Sequence, residues 1–188
     1  MPEGMSDRTL LRAPGRGKVQ LRGGLDEGMP PVSDPELPLR LHRALHARGE
    51  TVAAAESLTA GLFCATLATV PGASATLRGG VVVYATELKT ALAGVPADLL
   101  AAHGPVSPQT AGALAGGVRD RCAADWGVGL TGVAGPDPVD GHDPGRVYLG
   151  IAGARGTDVV QLDLPGDRAA VRAGAAASAM EHLLARLG

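Results

Sequence analysis

A serine, a tyrosine, a lysine and a threonine stand where runs of small apolar residues give way to polar ones. Ser57 ends Val52-Ala53-Ala54-Ala55-Glu56, Tyr84 and Lys89 follow Gly79-Gly80-Val81-Val82-Val83, and Thr131 closes Gly127-Val128-Gly129-Leu130. A serine hydroxyl served by a lysine amine is one of the nucleophile–base pairs used in acyl transfer. The base must be neutral to take a proton, which a desolvated lysine can be and an arginine cannot. The chain has fifteen arginines and two lysines, Lys18 and Lys89, so Lys89 is the one lysine beyond the N-terminal stretch. No histidine is placed as the base: His103, His142 and His182 fall in a helix end, a loop and the last helix, and His42 and His46 look solvent-facing.

The elements needed to bring these groups together are legible in the pattern. A helix is expected over Pro38 to Arg48, then a strand over 51–56 and a helix from Ser57 to Val70. That helix would put the Ser57 hydroxyl at its N-terminus, where free N–H groups and the helix dipole favour a developing oxyanion. Ser57 or Thr59 acting simply as the N-cap is the alternative. The β-branched run Gly79 to Tyr84 predicts a strand buried on both faces. Short helices follow at Glu87–Ala93 and Pro96–Ala102, and a longer one runs from Ser107-Pro108 to about Ala124. Strands are expected at 127–131, 146–152 and 157–164, the last two as an antiparallel hairpin. A loop spans 136–145, and a terminal helix capped by Asp167 runs to Leu187. Alternating strands and helices predict an α/β fold, a three-layer α/β/α sandwich with a mixed, mostly parallel sheet. In such sheets the carboxyl ends of neighbouring parallel strands line the ligand crevice. Ser57, Lys89 and Thr131 would converge there if their strands are neighbours. Arg168 and Arg172, one helical turn apart, suit either a solvated face or a phosphate.

Composition bounds the rest. The 188 residues make one ordinary domain with a tail to spare, and the 45% hydrophobic content with only 2% aromatics requires a core of Ala, Val and Leu. Residues 1–34, broken by Gly and Pro, are expected to be a disordered tail before a domain at 35–188. A net charge of −2 argues against nucleic acid held by bulk electrostatics. No window has the ~18 apolar residues of a membrane span, and the N-terminus has no signal-peptide core. Cys64 and Cys122 fall on apolar helical faces as free thiols, and no cluster has metal-ligand spacing. A cytoplasmic protein without metal or cofactor is expected, assembled as a homo-oligomer, a dimer.

Ala55-Glu56-Ser57-Leu58-Thr59-Ala60-Gly61, Gly79-Gly80-Val81-Val82-Val83-Tyr84, Leu130-Thr131-Gly132-Val133-Ala134-Gly135-Pro136 and Gly166-Asp167-Arg168 together resemble the C-terminal domain of the competence/damage-inducible CinA family. The intervening Leu92-Ala93-Gly94-Val95-Pro96 and His103-Gly104-Pro105-Val106-Ser107 fit the same pattern. The resemblance covers about residues 36 to 187. It implies a metal-independent amidase that converts nicotinamide mononucleotide to nicotinic acid mononucleotide and ammonia. Carried onto matching positions, Ser57 is the nucleophile and Lys89 the base. Tyr84 positions Lys89 or the amide, and Thr131 with the Gly132 backbone holds the reacting group. Glu56, Thr59, Gly61, Arg168 and Arg172 are expected to contact the nucleotide. The chain departs from the family at Leu58 and Ala60 (usually Cys and Gly), at Ala85-Thr86 (often Ser-Asn) and at Asp137-Pro138 (usually glycines). A catalytically weak nucleotide-binding module, or an amidase of another small amide, fits the same residues.

Overall fold

The computed structural model describes residues 34–188, so the expected N-terminal tail, apart from Asp34, lies outside the described residues. Five strands, β1 (Val52–Glu56), β2 (Leu77–Val82), β3 (Trp126–Gly132), β4 (Arg146–Gly153) and β5 (Gly156–Asp163), form one sheet in the order β2-β1-β3-β4-β5. The pairings β1–β2 and β1–β3 are parallel, whereas β3–β4 and β4–β5 are antiparallel. The sheet is therefore mixed, with β4 alone reversed. The expected hairpin is β4–β5, turning at Ala154-Arg155.

Two helical layers cover the sheet. Helices α1 (Leu37–Arg48), α2 (Leu62–Ala68) and α6 (Arg168–Leu187) lie on one face, while α3 (Thr86–Ala91), α4 (Ala97–His103) and α5 (Pro108–Arg121) lie on the other. Strand alternation sorts the residues between them. Val52 and Ala54 of β1 join Leu41, Leu45, Phe63 and Met180 in the larger core, whereas Ala53 and Ala55 face Leu114 and Val118 of α5. All five β1 residues are buried, as a central strand between two layers requires. A Cβ at Gly127 or Gly129 would overlap the Ala115 and Ala111 carbonyls, so glycine lets α5 seat directly on the sheet.

Helix ends follow the sequence signals. The Ser107 and Asp167 side chains accept from the backbone N–H of Thr110 and Ala170, capping α5 and α6. Two expectations are corrected. The segment 79–84 is not a strand buried on both faces: β2 is an edge strand over Leu77–Val82, alternately exposed, because only β1 pairs with it. The helix expected from Ser57 begins only at Leu62, after a tight turn through Ala60 (φ 51°) and Gly61 (φ 94°).

Candidate active site

At the carboxyl ends of β1, β2 and β3 a cleft of about 210 Å³ opens, lined by Ser57, Leu58, Tyr84, Lys89, Thr131, Gly132, Asp137, Asp140 and Arg168 among others. No histidine lines it. The adjacency of β2, β1 and β3 is what gathers these groups, since each strand ends beside the next.

Ser57 continues β1 by one residue, its N–H donating to the Leu130 carbonyl at 3.0 Å. Alternation turns its side chain to the α3/α5 face, opposite to Glu56. There the Lys89 amine, on α3, lies 3.2 Å from Ser57 Oγ and donates to the Val83 carbonyl at 2.8 Å. Lys89 is only 2% exposed. Burial pushes its pKa below the ordinary lysine value, against a smaller opposing influence from the Glu87 carboxylate. In its neutral form the amine, with one N–H on Val83, would have a lone pair to offer the Ser57 hydroxyl proton.

The Thr131 hydroxyl, 1% exposed, donates to the Pro105 carbonyl at 2.6 Å, which ties the end of β3 to the α4–α5 loop. Its lone pairs stay available to a donor in the cleft. Because the Leu130 carbonyl faces β1, alternation along β3 turns the Gly132 N–H to the same side, just past the last β1 pairing. The N–H of Leu58, with no acceptor among the described residues, follows Ser57 directly. Two main-chain donors without a partner in the sheet or the turn therefore stand next to Ser57 in the chain and at the neighbouring strand end.

Several expected contacts lie elsewhere. Glu56 is 1% exposed and faces the α2 layer, where its carboxylate accepts from the N–H groups of Gly61 (2.9 Å), Phe63 (3.1 Å) and Cys64 (3.0 Å). It satisfies the free N–H groups at the start of α2, so that helix terminus serves Glu56 and not a ligand. Ser57 is accordingly not the N-cap; Gly61 takes that position. Thr59 is fully buried and Gly61 supplies a left-handed turn residue; neither lines the cleft. Arg172 also lies outside it, with Nε and Nη2 donating to the Leu58 and Thr59 carbonyls.

Tyr84 is 54% exposed at the cleft mouth, and its hydroxyl accepts from Arg168 Nη2 at 2.6 Å. The group that holds Lys89 is thus the Val83 carbonyl, not the Tyr84 phenol. Arg168 does line the cleft, with its Nη1 donating to the Gly135 carbonyl at 2.9 Å. The carbonyls of Val83 and Pro105 were missed from sequence because main-chain acceptors carry no side-chain signal. Asp140 was missed inside a loop read only by composition. Cys64 and Cys122 are free and half-buried. Burial, with the Glu56 carboxylate nearby, drives the Cys64 thiol far above its ordinary value, which favours its protonated form.

The fold and cleft define an α/β protein with a buried serine–lysine pair. The model of the CinA C-terminal domain matches residues 35–187, and the chain belongs to that family. It is 49% identical over 134 residues to a CinA-like protein of Frankia casuarinae, covering 71% of this chain and 31% of that one. With a CinA-like protein of Anaeromyxobacter sp. (strain K) it shares 50% over 149 residues, 79% of this chain and 36% of the relative. The chain thus spans about a third of the length of these curated relatives. Among solved structures, a CinA superfamily protein from Klebsiella pneumoniae superposes with a TM-score of 0.79 at 32% identity, covering 81% of this chain and 96% of that one. The competence/damage-inducible protein CihA from Agrobacterium tumefaciens gives 0.76 at 32%, covering 80% and 93%. Among the described residues, no helix is long and apolar enough to cross a membrane, and no group of His, Cys, Asp and Glu is placed to hold a metal ion.

Proposed function

We propose that the chain is a serine–lysine amidohydrolase that deamidates nicotinamide mononucleotide to nicotinic acid mononucleotide and ammonia. The observation that carries the reading is the 3.2 Å contact between Lys89 Nζ and Ser57 Oγ, both in a buried setting that favours the neutral amine. Ser57 Oγ attacks the carboxamide carbon while its proton passes to Lys89. The Leu58 and Gly132 N–H groups receive the oxyanion. Collapse breaks the C–N bond, with Lys89 returning its proton to the leaving nitrogen as ammonia departs. Water then attacks the Ser57 ester, giving up a proton to Lys89. The C–O bond to Ser57 breaks, that proton restores the hydroxyl, and the acid is released.

The cleft is smaller than the ~300 Å³ at which ligand pockets usually begin. It suits the carboxamide and its ring, with the phosphate left at the mouth beside Arg168. One observation favours a second reading, an amidase of a less anionic small amide: Asp137 and Asp140 line the same cleft, and Arg168 is engaged by Tyr84 and Gly135. Ammonia release from nicotinamide mononucleotide, its riboside and nicotinamide distinguishes them. The proposal expects the mononucleotide to be turned over best. Preference for the riboside would favour the second reading, and no release from any of the three would remove the first.

A further inference from the structure

The turn that presents Ser57 is held from outside the cleft. Arg172, one turn into α6 and half-buried, donates from Nε to the Leu58 carbonyl at 3.0 Å and from Nη2 to the Thr59 carbonyl at 2.8 Å. A planar guanidinium bonded to two successive carbonyls fixes both peptide planes, which a single rotating ammonium does not. In a trans peptide the C=O and the following N–H point in opposite directions. Holding the Thr59 oxygen therefore sets the Ala60 N–H, which donates back to the Ser57 carbonyl at 3.0 Å. The Ser57 carbonyl shares a peptide plane with the Leu58 N–H, the donor beside the nucleophile. A continuous restraint thus runs from Arg172 to the oxyanion donor. The turn needs it, because Ala60 sits at φ 51°, a left-handed conformation that a residue with a Cβ disfavours.

We infer that Arg172 is a positioning residue, locking the 57–61 turn so that Ser57 Oγ and the Leu58 N–H converge on one acyl group. The inference rests on the acyl-transfer reading of Ser57 but not on the identity of the amide. In the full chain, Arg172→Ala and Arg172→Lys are compared with the unmodified protein by covalent labelling of Ser57 with a fluorophosphonate, by kcat and KM for ammonia release, and by thermal melting. Arg172→Ala is expected to lower kcat by about a hundredfold, the scale of a small misplacement of reacting groups, with KM little changed. Ser57 labelling slows in parallel. Arg172→Lys, able to reach one carbonyl, recovers part of both rates, and it carries the test alone if the alanine variant does not fold. A raised KM with unchanged kcat and labelling would overturn the inference and make Arg172 a substrate anion ligand. Unchanged values throughout would reduce it to a surface tie. If the unmodified protein is labelled at Ser57 yet releases no ammonia from the mononucleotide, the substrate assignment fails while labelling still decides the role of Arg172.

Discussion

Arg168 and Tyr84 bridge the mouth of the cleft, Nη2 to Oη at 2.6 Å, and join the start of α6 to the segment between β2 and α3. The second Arg168 nitrogen holds the Gly135 carbonyl of the β3–β4 loop. Two loops and the start of α6 therefore meet on one exposed guanidinium, whose remaining N–H groups have no partner among the described residues and can take an anion at the rim.

Arg168→Ala is expected to raise KM for the mononucleotide by about tenfold or more, the range of a charge-assisted hydrogen bond, with less effect on kcat. The riboside, lacking the phosphate, should show little change. Steady-state kinetics on both substrates check this, and equal losses on the two would make Arg168 a structural bridge alone.

Glu56→Gln should destabilise the fold by about 1 to 3 kcal/mol, since the carboxylate accepts three buried N–H bonds at the start of α2 and a neutral amide presents a donor there. Urea unfolding measures it. A loss of KM with full stability would instead make Glu56 a substrate contact.

Much of this arrangement is legible in the sequence. The small-residue runs ending at Glu56 and Leu130 announced central strands, and Ser57, Lys89 and Thr131 at the strand ends announced the cleft. Asp167 and Ser107 announced their helices, since local capping chemistry depends only on neighbours in sequence. What failed was tertiary. Glu56 and Ser57 are adjacent in sequence but point to opposite faces, so a motif containing both suggested a shared site that strand alternation forbids. Arg172 looked like an anion ligand because its two acceptors, the Leu58 and Thr59 carbonyls, are far away in sequence and carry no side-chain identity. The β-branched run at 79–84 mimicked a central strand, yet only its β1 neighbour is present.

Gly129→Ala tests the close seating of α5 on β3. The added methyl meets the Ala111 carbonyl and α5 backbone rather than a flexible side chain, so the helix must shift. A loss of about 1 to 3 kcal/mol is expected from overpacking. Turnover should fall too, because α5 begins just after Pro105, whose carbonyl holds Thr131. Unchanged stability would show that α5 does not seat directly on β3 at Gly129.

Burial of Lys89 predicts two pH signatures. Activity should rise with pH through an ionisation below the ordinary lysine value of 10.5, because the working base is the neutral amine. Stability carries the same sign. Between the lowered folded pKa and 10.5 the unfolded chain binds more protons than the folded one, so stability climbs with pH across that window. Lys89→Met should remove that slope. Identical pH–stability profiles for the two proteins would mean that Lys89 is not desolvated.

The pairing of Ser57 with Lys89 is tested most directly by ammonia release from nicotinamide mononucleotide in Lys89→Arg beside Ser57→Ala and the unmodified protein. Arginine keeps much of the stem but stays charged and cannot surrender its proton. The unmodified protein should release ammonia and nicotinic acid mononucleotide in equal amounts, and each variant should fall by about a thousandfold or more, with Ser57→Ala melting close to the unmodified protein and Lys89→Arg lower because its charge is buried. Full activity in Lys89→Arg would contradict the assignment of Lys89 as the base.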